Sequence, residues 1–176
     1  MEKKQKKFGQ YIFTNHDFEG SIDEFLAQTA PLIGYLVHSF NALDSMLNST
    51  VCMLINDRAD EKGAIIIHNM SFSAKVDLFY RLVRSIELIV EKELPSFPSF
   101  IENLRKCAIY RNAVVHAEWD SLEEDGYTYV KMSFTKDGLQ QQYWQFTPDS
   151  LMKINNFIVQ TGNEFGTFDG ELQELL

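Results

Sequence analysis

The chain reads as a mainly α-helical protein, an antiparallel four-helix up-and-down bundle with a β-hairpin inserted between the third and fourth long helices. Three observations predict this. Apolar residues recur at spacings of three and four over four long stretches. Between the third and fourth stretches the period drops to two, over about residues 127–146, with Asp137-Gly138 as the turn signal. The four prolines, Pro31, Pro95, Pro98 and Pro148, all stand where a helix should begin or end. With 176 residues, 45% of them hydrophobic, the chain can bury one full core. One domain over 21–170 is expected, between a flexible basic arm over 1–20 and an acidic tail over 171–176.

The elements follow in order. Ser21-Ile22-Asp23-Glu24 has the form of a capping box and should start a short helix that ends by Pro31. Pro31 suits the first turn of a long helix to about Asn56, where its missing N–H costs nothing. Leu36, Phe40, Leu43, Leu47, Val51 and Leu54 make the buried stripe of that helix. Arg58 to Met70 reads as a connector with a short helix around Ile65-Ile66-Ile67. Ser71 or Ser73 then caps a second long helix to about Glu93. Phe72, Val76, Phe79, Val83, Ile86 and Val90 line its core face, with Lys75, Arg81 and Arg84 elsewhere on its surface. A third helix should run from about Ser99 to about Trp119, with the stripe Ile101, Leu104, Ala108, Arg111 and Val115. Two alternating strands follow, and Thr147-Pro148-Asp149-Ser150 opens a fourth helix whose apolar face holds Leu151, Ile154 and Ile158, with Phe157 beside them.

Charge and composition narrow the function. The net charge of −9 argues against broad, nonspecific nucleic-acid binding, so a nucleic-acid substrate must meet a local basic site. Lys3, Lys4, Lys6 and Lys7 crowd one end of the chain, and Glu164, Asp169, Glu171 and Glu174 crowd the other. Both clusters read as solvated termini. The basic start is followed by no apolar stretch of the secretory kind, and no apolar run approaches 18 residues. A cytoplasmic protein without membrane contact is therefore expected. Cys52 and Cys107 sit in helical apolar patterns as small hydrophobes, and neither has a neighbour that clearly activates it. His16, His38 and His68 show no ligand spacing, so no metal is expected. There is no glycine-rich phosphate loop and no serine elbow, and no cofactor is implied.

What remains is Tyr110-Arg111-Asn112-Ala113-Val114-Val115-His116. Arg111 falls within about 40° of the centre of the apolar stripe at 100° per residue. Asn112 lies near the edge of the stripe, and His116 lies one turn beyond Asn112 on the same side. A buried arginine needs a carboxylate. Asp44, roughly 60° from the centre of the first long stripe, is the preferred partner, and Glu118 is the other. Taken alone, an Arg111–Asp44 pair is most simply a salt bridge that fixes helix register, and a lone histidine near a helix end is most simply a hydrogen-bonded residue on the helix dipole. Taken together, the three side chains suit metal-free phosphodiester chemistry. The imidazole can move a proton near neutral pH, the guanidinium can hold a phosphate bidentately, and the amide can orient either group.

Arg111-Asn112-Ala113-Val114-Val115-His116 resembles the signature of the HEPN superfamily, the nucleotide-binding domains of higher eukaryotes and prokaryotes. That signature is an arginine, commonly followed by a polar residue, with a histidine after four to six intervening residues, late in a four-helix domain. Phe40-Asn41-Ala42-Leu43-Asp44 and Ser71 to Phe79 are similar to what bacterial members carry, and the resemblance covers roughly residues 31–160. It implies a metal-independent endoribonuclease of the toxin–antitoxin, phage-defence or RNA-processing kind, acting as a homodimer and leaving a 2′,3′-cyclic phosphate. By the same resemblance His116 is the acid/base residue, Arg111 positions the scissile phosphate and Asn112 supports that geometry. Asp44 matches the acidic residue often found on the first helix. RNA is then the substrate, and an antitoxin or other protein a further partner. The competing expectation is a non-catalytic dimerisation, protein-interaction or nucleotide-binding module.

Overall fold

The computed structural model describes residues 2–8, 22–56, 58–119 and 126–175. The protein is mainly helical with a small antiparallel sheet. Its elements are β1 (Lys3–Lys7), α1 (Ile22–Ile55), α2 (Glu61–Ile67), α3 (Phe72–Val90), α4 (Phe97–Val115), β2 (Tyr127–Thr135), β3 (Gly138–Gln145) and α5 (Pro148–Gln173). The chain gathers into two compact units, one drawn from Met1–Val37 and Tyr110–Asn155, the other from His38–Ile109 and Asn156–Leu176. The helices α1, α4 and α5 each contribute residues to both, a subdivision that the apolar pattern does not announce. No helix among the described residues is long and apolar enough to cross a membrane.

The second unit holds the larger aromatic core. Phe79 of α3, Phe97 and Phe100 of α4, and Phe165 and Phe168 of α5 form one cluster. Ring centroids lie 5.7 Å apart for Phe79–Phe165, 5.1 Å for Phe100–Phe165 and 5.3 Å for Phe97–Phe168, in stacked and edge-on pairs. From α1, Phe40, Leu43, Leu47 and Val51 are buried in the expected order, while Leu54 is only half-buried. Ser71 caps α3 as anticipated, accepting the Ala74 N–H at 3.2 Å. At the other end of α3 the buried Glu87 carboxylate accepts the Leu94 N–H at 2.7 Å and faces Arg84 at 2.6 Å. Glu91 takes a left-handed φ of 54°, which turns the chain toward Pro95. Glu87 is thus buried on α3, while Val90, which the apolar pattern places in the core, is exposed.

The first unit is built round the sheet, in the order β1-β3-β2 with both pairings antiparallel. The hairpin forms as predicted. Thr135 pairs with Gly138, whose φ of 98° only glycine adopts readily, across the turn Lys136-Asp137. A register shift between Tyr129 and Lys131 marks a bulge at Val130, which is buried. Trp144 and Phe146 are buried beneath the sheet, with ring centroids 6.1 Å apart. The cap of α5 is reciprocal. The Thr147 N–H donates to Ser150 Oγ at 2.9 Å and the Ser150 N–H donates to Thr147 Oγ1 at 3.2 Å, with Pro148 in the first turn.

Three expectations require correction. Pro31 does not separate two helices, because α1 is continuous from Ile22 to Ile55 with the proline inside it. Pro31 and Ala27 are both exposed, so water can serve the Ala27 carbonyl that has lost its i+4 donor. Ser21, the head of the expected capping box, lies outside the described residues. The lysines Lys3–Lys7 are not a flexible arm but the edge strand β1, whose lysines suit an edge that must not recruit other strands. The tail is not separate either. The helix α5 runs to Gln173 with Phe165, Phe168 and Leu172 buried, and Asp169 accepts hydrogen bonds from Thr50 at 3.1 Å and Gln173 at 3.1 Å.

In the second unit α2 meets α1 at Gly63. A Cβ placed there would lie 2.6 Å from the Cα of Cys52 and 2.8 Å from its sulfur, so only glycine fits without a backbone shift. Gly63→Ala is expected to destabilise the protein by roughly 1–3 kcal/mol in chemical denaturation, the usual cost of overpacking. A variant as stable as the wild type would show that α2 is not held against α1.

Candidate functional site

The end of α4 is fixed by the first unit's aromatic residues. Tyr110 packs edge-on against Trp144 with centroids 6.4 Å apart, at an interplanar angle of 81°. Past the last turn, Trp119 lies over Phe146 at 5.2 Å and donates its Nε1–H to the Val114 carbonyl at 3.1 Å. That carbonyl is one of the four a helix leaves unbonded at its C-terminus. The Glu118 N–H donates to the Tyr129 carbonyl at 2.9 Å, an isolated bridge that ties the segment after α4 to β2. The helix therefore ends in a turn held from two sides, and the turn carries His116.

The sequence-derived residues fall as follows. Arg111 is half-buried, not fully buried, and its Nη1 donates to Asn112 Oδ1 at 3.0 Å. Asn112 and His116 are exposed, and the His116 N–H donates to the Asn112 carbonyl at 3.0 Å, so the two are one helical turn apart. Ala113 and Val114 take the buried positions that the stripe assigned to Val115, which is exposed. The stripe of α4 therefore runs through Leu104, Cys107, Ala108 and Val114, and Arg111 sits at its half-open edge. Glu118 is exposed, two residues beyond His116.

Asp44 belongs to the other unit, where its carboxylate forms an ion pair with Lys75 Nζ. The same ammonium donates to Asn48 Oδ1 at 2.8 Å. Lys75, placed by the sequence reading on the surface of α3, is 6% exposed. Its signal was available, since it stands three residues after Phe72 and four before Phe79, on the stripe itself. Asp44 thus acts as the acidic half of a lysine pair between α1 and α3.

Neither cysteine is poised for attack. Burial pushes the Cys107 thiol up to about 11, and burial followed by the charge of Asp60 raises that of Cys52. Among the described residues no group of three or more His, Cys, Asp and Glu side chains is placed to hold a metal ion. A cavity of about 290 Å³ lies in the second unit, lined in part by Glu164 and Glu171. These carboxylates accept from Asn103 at 3.1 Å and Ser96 at 3.2 Å, an acidic lining that suits no phosphate.

No family model, curated protein or solved structure matches the chain.

The Trp119 bond is a test of how the turn is held. Trp119→Phe keeps a ring against Phe146 and removes the donor to the Val114 carbonyl. A loss of about 1 kcal/mol in denaturation is expected, together with faster amide hydrogen exchange at His116. Unchanged exchange there would mean that the turn does not rely on the indole.

Proposed function

We propose that the protein is a HEPN-like, metal-independent endoribonuclease that works through Arg111, Asn112 and His116. The observation that carries this reading is the end of α4. An exposed amide and an exposed imidazole lie one turn apart there, with a guanidinium held against the amide oxygen. The imidazole takes the proton of a ribose 2′-hydroxyl, and the 2′-oxygen forms its bond to phosphorus. As the bond from phosphorus to the 5′-oxygen breaks, the departing oxygen receives a proton from the imidazolium. The products are a 2′,3′-cyclic phosphate and a 5′-hydroxyl. Arg111 stabilises the charge that gathers on the non-bridging oxygens, and Asn112 fixes the direction of the guanidinium.

The same reading brings with it an antiparallel up-and-down four-helix bundle of α1, α3, α4 and α5, a homodimer that unites two copies of the motif helix, a cytoplasmic setting and an antitoxin or other protein partner. Asp44, whose carboxylate also pairs with Lys75, and Glu118, exposed two residues beyond His116, are the supporting acids of this reading. A second reading, a non-catalytic dimerisation or protein-interaction module, is favoured by the adjacent Leu88 and Ile89 on α3, which are 73% and 77% exposed.

Cleavage of a mixed-sequence RNA in excess EDTA separates the two. The wild type is expected to yield 2′,3′-cyclic phosphate ends by mass analysis. His116→Ala should lower the rate by roughly 10²–10⁴-fold and leave stability within about 0.5 kcal/mol, as for other exposed positions. An inactive wild type, or a fully active His116→Ala, would remove the catalytic reading and leave the interaction module.

A further inference from the structure

The sheet of the first unit has a face that the cleavage chemistry does not use. Side chains alternate across strands, and residues paired directly opposite share a face. The register pairs Lys4 with Tyr143, Lys6 with Gln141, Tyr129 with Tyr143, Met132 with Gln141 and Phe134 with Leu139. All of these lie on the face opposite the buried Trp144 and Thr128. Tyr127 joins them, because it pairs with Gln145 two residues on from Tyr143. One side of a three-stranded sheet thus presents three tyrosines, a phenylalanine and two lysines.

The rings and the cations are interleaved. Lys4 Nζ lies 3.9 Å from the centroid of Tyr127 and 5.9 Å from that of Tyr143, and Lys6 Nζ lies 5.0 Å from Tyr143. Tyr129 and Tyr143 are edge-on, with centroids 5.9 Å apart. Phe134, near the tip of the hairpin, is 85% exposed, a position where a phenylalanine does nothing for the fold. Over the described residues of the three strands and their turns, six lysines stand against two acids, Glu2 and Asp137; on this face itself Lys4 and Lys6 stand beside Glu2, which accepts the Tyr127 hydroxyl at 2.9 Å, and Glu118, bridged to Tyr129. This local excess of positive charge belongs to a chain whose net charge is −9.

We infer that this face binds single-stranded nucleic acid, with bases against the rings of Phe134, Tyr129 and Tyr143 and phosphates against Lys4 and Lys6. Every base offers a π-face, and a basic groove with aromatic side chains is how sequence-tolerant single-strand binding is built. A duplex does not suit it, because its bases are already stacked on each other. A protein partner suits it poorly, because interface centres are depleted of lysine. Backbone pairing with β3 and cation–π contacts explain how β1 is fastened to the sheet; they do not explain Phe134. The strand β2 is joined to the segment after the motif, since the Tyr129 carbonyl accepts the Glu118 N–H two residues beyond His116. The inference stands on the sheet and holds whether or not Arg111 and His116 cleave RNA.

The test uses fluorescein-labelled oligodeoxythymidine, the full chain and fluorescence anisotropy. This probe lacks the 2′-hydroxyl, so the result is independent of cleavage. The wild type is expected to bind it, and to bind a duplex of equal length more weakly. Phe134→Ala should weaken binding about tenfold, the usual effect of losing one stacked base. Lys6→Glu should weaken it at low salt and flatten the slope of log affinity against log salt by about 0.7. Both residues are exposed, so circular dichroism should be unchanged in either variant. No binding by the wild type at low salt, equal binding of the duplex, or a Phe134→Ala variant that binds like the wild type would each overturn the proposal.

Discussion

Five phenylalanines hold the second unit, and the shape of its helices follows from them. Phe79 touches the other four, with centroid distances of 5.7 to 6.5 Å. Rings of this size bury large apolar areas, and their stacked and edge-on pairs add to that burial. Because Phe165 and Phe168 are in the cluster, the last turns of α5 are helical despite Glu164, Asp169, Glu171 and Glu174. These acids point away from the rings or find donors, as Glu164 does with Asn103 and Asp169 with Thr50. Because Phe97 is in the cluster, α4 starts before Pro98, which sits in its first turn where a missing N–H is harmless.

The first unit solves a different problem, that of ending a helix in a defined place while leaving polar groups outside. The apolar side of α4 is spent on Ala113 and Val114, and the helix stops where Trp119 caps a carbonyl that would otherwise be bare. The indole provides both the ring against Phe146 and the donor, so one residue supplies packing and termination. Asn112 and His116, both exposed, lie outside this packing. A residue that serves the fold is seldom also at liberty to shift protons or contact a substrate.

Much of this was legible in the residues, and the exceptions share a physical cause. The part of α1 after Pro31, the helices α3 and α5, the hairpin, the Ser71 cap and the Thr147–Ser150 cap follow from periodicity and hydroxyl placement, which are local signals. Lys3–Lys7 carries no local signal at all, because a lysine- and glutamine-rich segment has neither alternation nor β-propensity. It becomes a strand through β3, where Lys3 lies 3.9 Å from the Trp144 centroid. Lys75 stands on the apolar stripe of α3, and what keeps its charge there, Asp44 and Asn48, lies on another helix where no local pattern shows it. The motif itself was legible as a group, and its exposure was not, since a projection cannot tell Val114 from Val115 as the buried residue.

The acidity of the chain bears on function less than its net charge suggests. At physiological ionic strength exposed charges are screened beyond about 8 Å. A nucleic acid lying on the sheet therefore senses the lysines within that distance far more than acids distributed over the rest of the surface. Local excess then decides where such a polymer sits, and the global deficit decides where it does not. On this view the negative charge is not an obstacle to nucleic-acid recognition.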